Sequence, residues 1–224
     1  MCGRMTLTTK GYEQLAALLG VEPEPDDVPF YRPRFNVAPT DDHWMVKKAG
    51  DGASRRKLRR AKWCFKAGGR KLLINLRSET AGKRFKQMFE TRRCLVPADG
   101  FYEWRGPKED RRPIWFHPPG GGLFLFAGLF EEPREGPPVF TVLTTEANPT
   151  VAPIHDRMPV ILAPSHAEEW LERPATELLV PAPEDALLGT EVSRRANSVA
   201  NDDPSCLAPP ESPRPPGEGQ MKLF

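Results

Sequence analysis

Between Cys94 and Thr144 the chain is cut into five short apolar runs, Cys94 to Pro97, Phe101 to Trp104, Ile114 to His117, Leu123 to Phe130 and Val139 to Thr144, each closed off by Gly or Pro. Runs this short cannot form helices of useful length, and punctuation at that spacing is what closely packed strands require. Three further strand-like runs precede them, at Trp44 to Lys48, Leu58 to Phe65 and Leu72 to Asn75. Helical periodicity occurs in three places. Tyr12, Leu15, Leu18 and Leu19 predict a first helix capped by Thr8 or Thr9 and stopped by Gly20; Phe85, Met88 and Phe89 predict a second beginning after Ser78. Ser165 followed by Glu168 at capping-box spacing predicts a third, carrying Trp170 and Leu171. Interspersed helices with many short strands indicate an α+β fold with a curved antiparallel sheet or β-barrel-like core and flanking helices. There is no internal repeat.

With 224 residues, 39% of them apolar, the chain is long enough for one sizeable core. The expected domain spans 1–203, and the Pro-rich stretch 204–224 reads as a disordered tail. Neither a membrane-spanning run nor a secretory signal is recognisable, so the expected setting is cytoplasmic, and nucleoid-associated in a bacterium. The four cysteines are Cys2, Cys64, Cys94 and Cys206, spaced neither as a zinc site nor as a disulfide framework. Cys64 and Cys94 sit in strand-like surroundings as small apolar residues, and Cys206 falls in the polar tail. No metal or organic cofactor is expected.

The net charge of +2 hides an asymmetry: residues 47 to 93 hold 17 Lys or Arg against Asp51, Glu79 and Glu90. That segment is +14 and the remainder −12, the pattern of a polyanion-binding face or, alternatively, of a solvated basic hairpin around Ala53 to Arg60.

Cys2 carries the sharpest chemistry. Its small side chain permits removal of Met1, which leaves an amine and a thiol on adjacent carbons. An α-amine titrates near 8, so it is partly neutral at physiological pH and can form a Schiff base with an aldehyde. The thiol then closes on the imine carbon to a thiazolidine, an intramolecular step that outlasts a simple imine.

Five ordered segments extend this reading: Met1-Cys2-Gly3-Arg4, Phe35-Asn36-Val37-Ala38-Pro39, Ile74-Asn75-Leu76-Arg77-Ser78-Glu79-Thr80, Ala98-Asp99-Gly100-Phe101-Tyr102-Glu103-Trp104 and Ile154-His155-Asp156-Arg157-Met158-Pro159. Together with Val192-Ser193-Arg194 and Asn197 they resemble the SRAP family, abasic-site crosslinking proteins with SOS-response-associated peptidase-like domains, from Met1 to about Asp203. The resemblance implies a channel for single-stranded DNA leading to Cys2 as nucleophile, with Asn75, Glu103 and His155 around it. It also implies autocatalytic removal of Met1 and a DNA-binding set of Arg4, Asn36, Arg77, Arg84 and Arg157.

Those residue types suit the roles: Glu103 to hold or deprotonate the amine, His155 to move protons, Asn75 to orient hydroxyls, and arginines to grip phosphates. Read singly, Glu103 can pair with an arginine, His155 can be a core residue, Asn75 can end a strand, and Arg157 can pair with Asp156. Phe35 and Trp104 are candidates for base stacking. Two departures from the family pattern stand out: Lys66-Ala67-Gly68-Gly69-Arg70 replaces a Pro- and Trp-bearing loop, and Leu76 replaces an alanine. The expected protein is a monomer that binds single-stranded DNA containing abasic sites and crosslinks to them, with β-elimination at the imine as a possible lyase step. Its rivals are a thiol peptidase and a noncovalent DNA-binding module.

Overall fold

The computed structural model describes residues 3–50, 56–67 and 71–211. In chain order its strands are β1 (Met5–Leu7), β2 (Arg34–Val37), β3 (Asp42–Lys48), β4 (Arg56–Trp63), β5 (Phe65–Ala67), β6 (Lys71–Leu73), β7 (Asn75–Arg77) and β8 (Arg93–Ala98). They continue as β9 (Gly100–Arg105), β10 (Arg112–His117), β11 (Phe124–Glu131), β12 (Val139–Glu146), β13 (Arg157–Pro159), β14 (Ile161–Leu162) and β15 (Leu188–Glu191). The α-helices are α1 (Tyr12–Leu19), α2 (Ser78–Arg84), α3 (Lys86–Thr91) and α4 (Ala167–Glu172).

One sheet has the order β15-β10-β9-β1-β2. The other runs β13-β12-β4-β3-β8-β11-β14, and because β11 also pairs with β12, strands β3, β4, β8, β11 and β12 curl round onto themselves. The expected α+β class with a curved sheet core is what forms. It is not wholly antiparallel, however: β12 runs parallel to both β4 and β7, which lie end to end along one of its edges. Short strand runs identify strands, but the partner across a long crossover leaves no local signature.

Helix ends also depart from expectation. α1 starts at Gly11, not at Thr8 or Thr9, because the Thr8 amide and hydroxyl are both spent on Asp99 Oδ2, at 2.5 and 2.6 Å. Its stop is as expected: Gly20, at φ 62°, takes the left-handed turn that a Cβ disfavours, and its amide reaches back to the last-turn carbonyls. The helix buries Tyr12, Leu15, Ala16 and Leu19, whereas Leu18 is 59% exposed. The second helix is two short ones broken at Phe85, whose ring packs edge-on against Phe65 at 5.5 Å. Ser165 makes no capping bond and belongs to a 3-10 turn preceding α4. Arg93 compensates for these short helices: it is buried and donates to the carbonyls of Phe89, Trp170 and Leu171 where α3 and α4 end.

Two large apolar clusters flank the curled sheet. One joins α1, α4 and the outward residues Trp44, Val46, Leu95 and Leu129. The other gathers Met5, Phe101, Phe116, Phe126, Phe140 and Met158 between the sheets. His43 is buried in this second region, with Nε2 donating to Pro97 O at 2.8 Å and Nδ1 without a partner among the described residues. Burial, reinforced by Arg34, lowers its pKa from 6.5 to about 4. The native state therefore holds His43 neutral while the unfolded chain protonates near 6.5, so this contribution is complete above pH 6.5 and is lost as pH falls towards 4. The shift corresponds to a loss on the order of 3 kcal/mol over that window. Denaturant midpoints measured from pH 7 to 4 should decline more steeply for the native chain than for His43→Gln; parallel profiles would contradict this.

Candidate active site

The segment 98–104 shows how a sequence motif becomes a scaffold. Asp99 holds Thr8, and Gly100 lies beneath Trp115 so closely that a Cβ would fall 2.0 Å from the indole Nε1, a position only glycine can occupy. Phe101 enters the core, Tyr102 donates its hydroxyl to Phe35 O at 2.7 Å, and Trp104 donates its indole N–H to Asn197 Oδ1 at 2.8 Å. Strand alternation then turns Glu103 to the same side as Phe101, and Glu103 is only 4% exposed.

Burial raises the Glu103 pKa; the field of nearby His155 opposes the rise and Asp156 reinforces it. The carboxyl is therefore easier to protonate than an ordinary glutamate, as befits a group that both takes and returns a proton. On its other side β9 pairs antiparallel with β1, with Met5 opposite Phe101 and the Tyr102 amide bonded to Arg4 O. Cys2 itself lies outside the described residues.

His155 sits two residues before β13. The Arg157 amide lies 2.9 Å from its Nδ1 and the Arg157 carbonyl 3.3 Å from the same nitrogen. Asp156 Oδ1 approaches the same Nδ1 at 3.1 Å. Asn75, 8% exposed, is fixed by β7 against Val142 of β12. The residues next to these three anchor in one place: Ile74, Ile154, Met158, Phe101 and Met5 all belong to or pack on the same inter-sheet cluster. Asn75 and Glu103 thus project from strands, and His155 from the turn before β13, whose flanking residues share a single core.

The expected DNA-binding set divides. Arg77 and Arg84 are exposed, the latter with its guanidinium over Phe85. Arg4 donates to Asn36 Oδ1 and Ala196 O, and its guanidinium lies 5.6 Å from the Trp104 ring. Asn36 does not present itself to a ligand: it is 1% exposed, its Nδ2 faces the carbonyls of Ala196, Ser198 and Asn201, and its oxygen holds Arg4. Arg157 is likewise turned inward. Its guanidinium grips Glu79 with two bonds, of 2.6 and 2.9 Å, and Thr144 O with a third, rather than pairing with Asp156. It ties β13 to β12 and to the first turn of α2, and lowers the Glu79 pKa by hydrogen bonding. Arg157→Leu should cost about 2 kcal/mol, since a buried carbonyl loses its donor. Urea unfolding checks this; a change below about 0.5 kcal/mol would show that the pair is incidental.

The basic run 47–93 is also less open than its charge suggests. Lys47, Lys48, Arg56 and Lys57 meet Glu132, Glu172, Glu168 and Glu24, all from acidic stretches elsewhere in the chain. Arg59, Arg77, Lys83 and Arg84 remain on the surface. Ala53, Ser54, Arg55, Gly68, Gly69 and Arg70 lie outside the described residues, so of the replaced loop only Lys66 and Ala67, in β5, are described. Leu76 is 7% exposed and joins the cluster on the α1 side.

A groove of about 470 Å³ is lined by Gly3, Arg4, Ala38, Pro39, Trp104, Lys108, Arg111, Asn197 and Val199. Sequence reading passed over Lys108 and Arg111 because they lie in the mixed-charge run Lys-Glu-Asp-Arg-Arg, which looks like any solvated turn. The groove's far wall is a strap from Ser193 to Ala208. Asp202 fastens it, accepting from the amides of Phe35 and Asn36 and from Arg32 and Arg34. Cys206, in the stretch read as a polar tail, is fully buried against Tyr102, Val192 and Ala196. Residues 212–224 lie outside the described residues.

The family model for SOS response associated peptidase (SRAP) matches residues 1–199. The chain belongs to the SRAP family. Among its relatives, the abasic site processing protein YoqW of Bacillus subtilis is 33% identical over 232 residues, covering 92% of this chain and 99% of YoqW. The abasic site processing protein HMCES of Gallus gallus is 35% identical over 154 residues, 55% of this chain and 45% of that protein. A solved protein structure from Bacteroides thetaiotaomicron superposes with a TM-score of 0.79 at 19% identity, covering 93% of this chain and 99% of that one, a likeness of fold alone. Among the described residues no helix of this SRAP chain is long and apolar enough to cross a membrane.

Proposed function

We propose that this chain processes abasic sites by binding single-stranded DNA and linking Cys2 covalently to the ring-opened sugar aldehyde. The observation that carries the reading is Glu103, buried and raised in pKa within the field of His155, on β9, which pairs with the β1 strand that begins three residues after Cys2. The names of the relatives, abasic site processing proteins, support the same substrate.

Hydrolysis of the Met1–Cys2 peptide bond first frees the α-amine, a step we assign to the chain itself. The amine adds to the aldehyde carbon and loses one water to give an imine; the thiol then adds across the C=N bond, its proton passing to nitrogen, and the thiazolidine ring closes. Glu103 accepts the ammonium proton, His155 shuttles protons during sugar opening and dehydration, and Asn75 orients the sugar hydroxyls. The imine also stands at the branch to β-elimination, which would cut the strand as a lyase does; ring closure diverts it and shields the lesion. Arg4, Arg77 and Arg84 supply phosphate contacts, and no metal or cofactor enters the chemistry.

The test is incubation with a single-stranded oligonucleotide carrying one abasic site, followed by denaturing electrophoresis. A shifted species with the lesion strand and none with an intact strand is the expected result. Cleavage of unrelated peptides without any DNA adduct would favour a thiol peptidase.

A further inference from the structure

We infer that the groove between the β9–β10 hairpin and the C-terminal strap is a phosphodiester subsite, in which Lys108 and Arg111 hold the nucleotides on one flank of the lesion. The inference rests on the strand-binding reading above and adds to it a direction and two residues.

Four observations converge. Gly3, which is bonded directly to Cys2, lines the groove, so the groove adjoins the proposed nucleophile along the chain. Its lining is two-sided: Ala38, Pro39 and Val199 offer apolar surface, Val199 being 62% exposed, while Arg4, Lys108 and Arg111 offer cations. That division matches a nucleotide, with a base or sugar face on one side and a phosphate on the other. None of the described lining residues is acidic, and the nearby Asp110 is engaged by Arg112 and Arg194. Lys108 and Arg111 are both exposed and have no carboxylate partner among the described residues, in contrast with the paired cations of the 47–93 run.

The wall that carries them is held in place. Gly106 turns the hairpin at φ +91°, where a Cβ would come within 3.0 Å of Asp110 O. Asn197 joins hairpin to strap by donating to Arg111 O at 3.0 Å while accepting from Trp104. A volume of about 470 Å³ accommodates a nucleotide-sized group.

The experiment compares the native chain with Lys108→Gln/Arg111→Gln on two oligonucleotides of equal length, one with the abasic site near the 5′ end and one near the 3′ end. Both substitutions are at exposed positions, and an unchanged thermal midpoint confirms folding. The double variant should bind one oligonucleotide about tenfold more weakly and the other normally, with the same adduct yield at saturating DNA. Its salt dependence on the affected strand should be shallower by about 1.4 in log–log slope, the value for two lost single-strand phosphate contacts. Equal loss on both strands, or no loss on either, would overturn the inference. If the native chain forms no adduct at all, the abasic-site reading fails, yet the groove is still decided by the salt slope on an undamaged strand: shallower supports it, unchanged refutes it.

Discussion

Cys2→Ala is expected to abolish the alkali-resistant adduct with abasic-site DNA, while leaving noncovalent affinity for the strand within about twofold. The reason is the pairing of two groups rather than nucleophilicity alone. With alanine the freed amine can still form an imine, but nothing closes on the imine carbon, so the link reverts with water. Intramolecular closure provides effective concentrations far above any solution thiol, and the lifetime of the link should fall by about a hundredfold or more. Cys2→Ser separates the two steps further, because a hydroxyl is a poorer nucleophile towards the imine. Its adduct should be trapped by borohydride but, when left unreduced, be lost on heating in alkali. An alkali-resistant Cys2→Ala adduct at native yield would remove the thiol from the mechanism.

Glu103→Gln should slow adduct formation by about a hundredfold to a thousandfold, the usual range for loss of a positioned acid–base group. Its pH profile is more informative than the loss itself. Burial raises the carboxyl's pKa, so the carboxylate that accepts the amine's proton forms only above the ordinary glutamate range. The native rate should therefore climb with pH through that raised value and climb again as the α-amine titrates near 8. Glu103→Gln should lose the lower limb and keep the upper. Single-turnover rates at saturating DNA measure both limbs, and an identical profile in the variant would mean that Glu103 only fills space.

The parts of this fold legible in the sequence were those with local causes. Gly20 stops α1 because its backbone must turn left-handed, and the strand runs from Arg93 to Glu146 follow from apolar stretches between Gly and Pro. The family motifs single out Asn75, Glu103 and His155, and Ile74, Phe101 and Ile154 near them belong to or pack on one core cluster. What escaped was set by distant partners. Nothing near Asn36 in sequence reveals that Ala196, Ser198 and Asn201 consume its amide, and nothing near Arg157 reveals Glu79, 78 residues away. The +14 run overstated its open charge for the same reason, since Lys47, Lys48, Arg56 and Lys57 find their carboxylates far along the chain. Thr8 could not be recognised as Asp99's partner, so the cap of α1 was misplaced by a few residues. Cys206 looked like part of a polar tail because the surface it covers belongs to β9 and the strap.

The central claim, that amine and thiol of a processed Cys2 act together, is tested most directly by mass spectrometry of the adduct. The mass should equal the chain lacking Met1 plus the abasic oligonucleotide minus one water, with the modification on the peptide that begins at Cys2. An adduct that retains Met1, or one mapped to a lysine, would contradict the account.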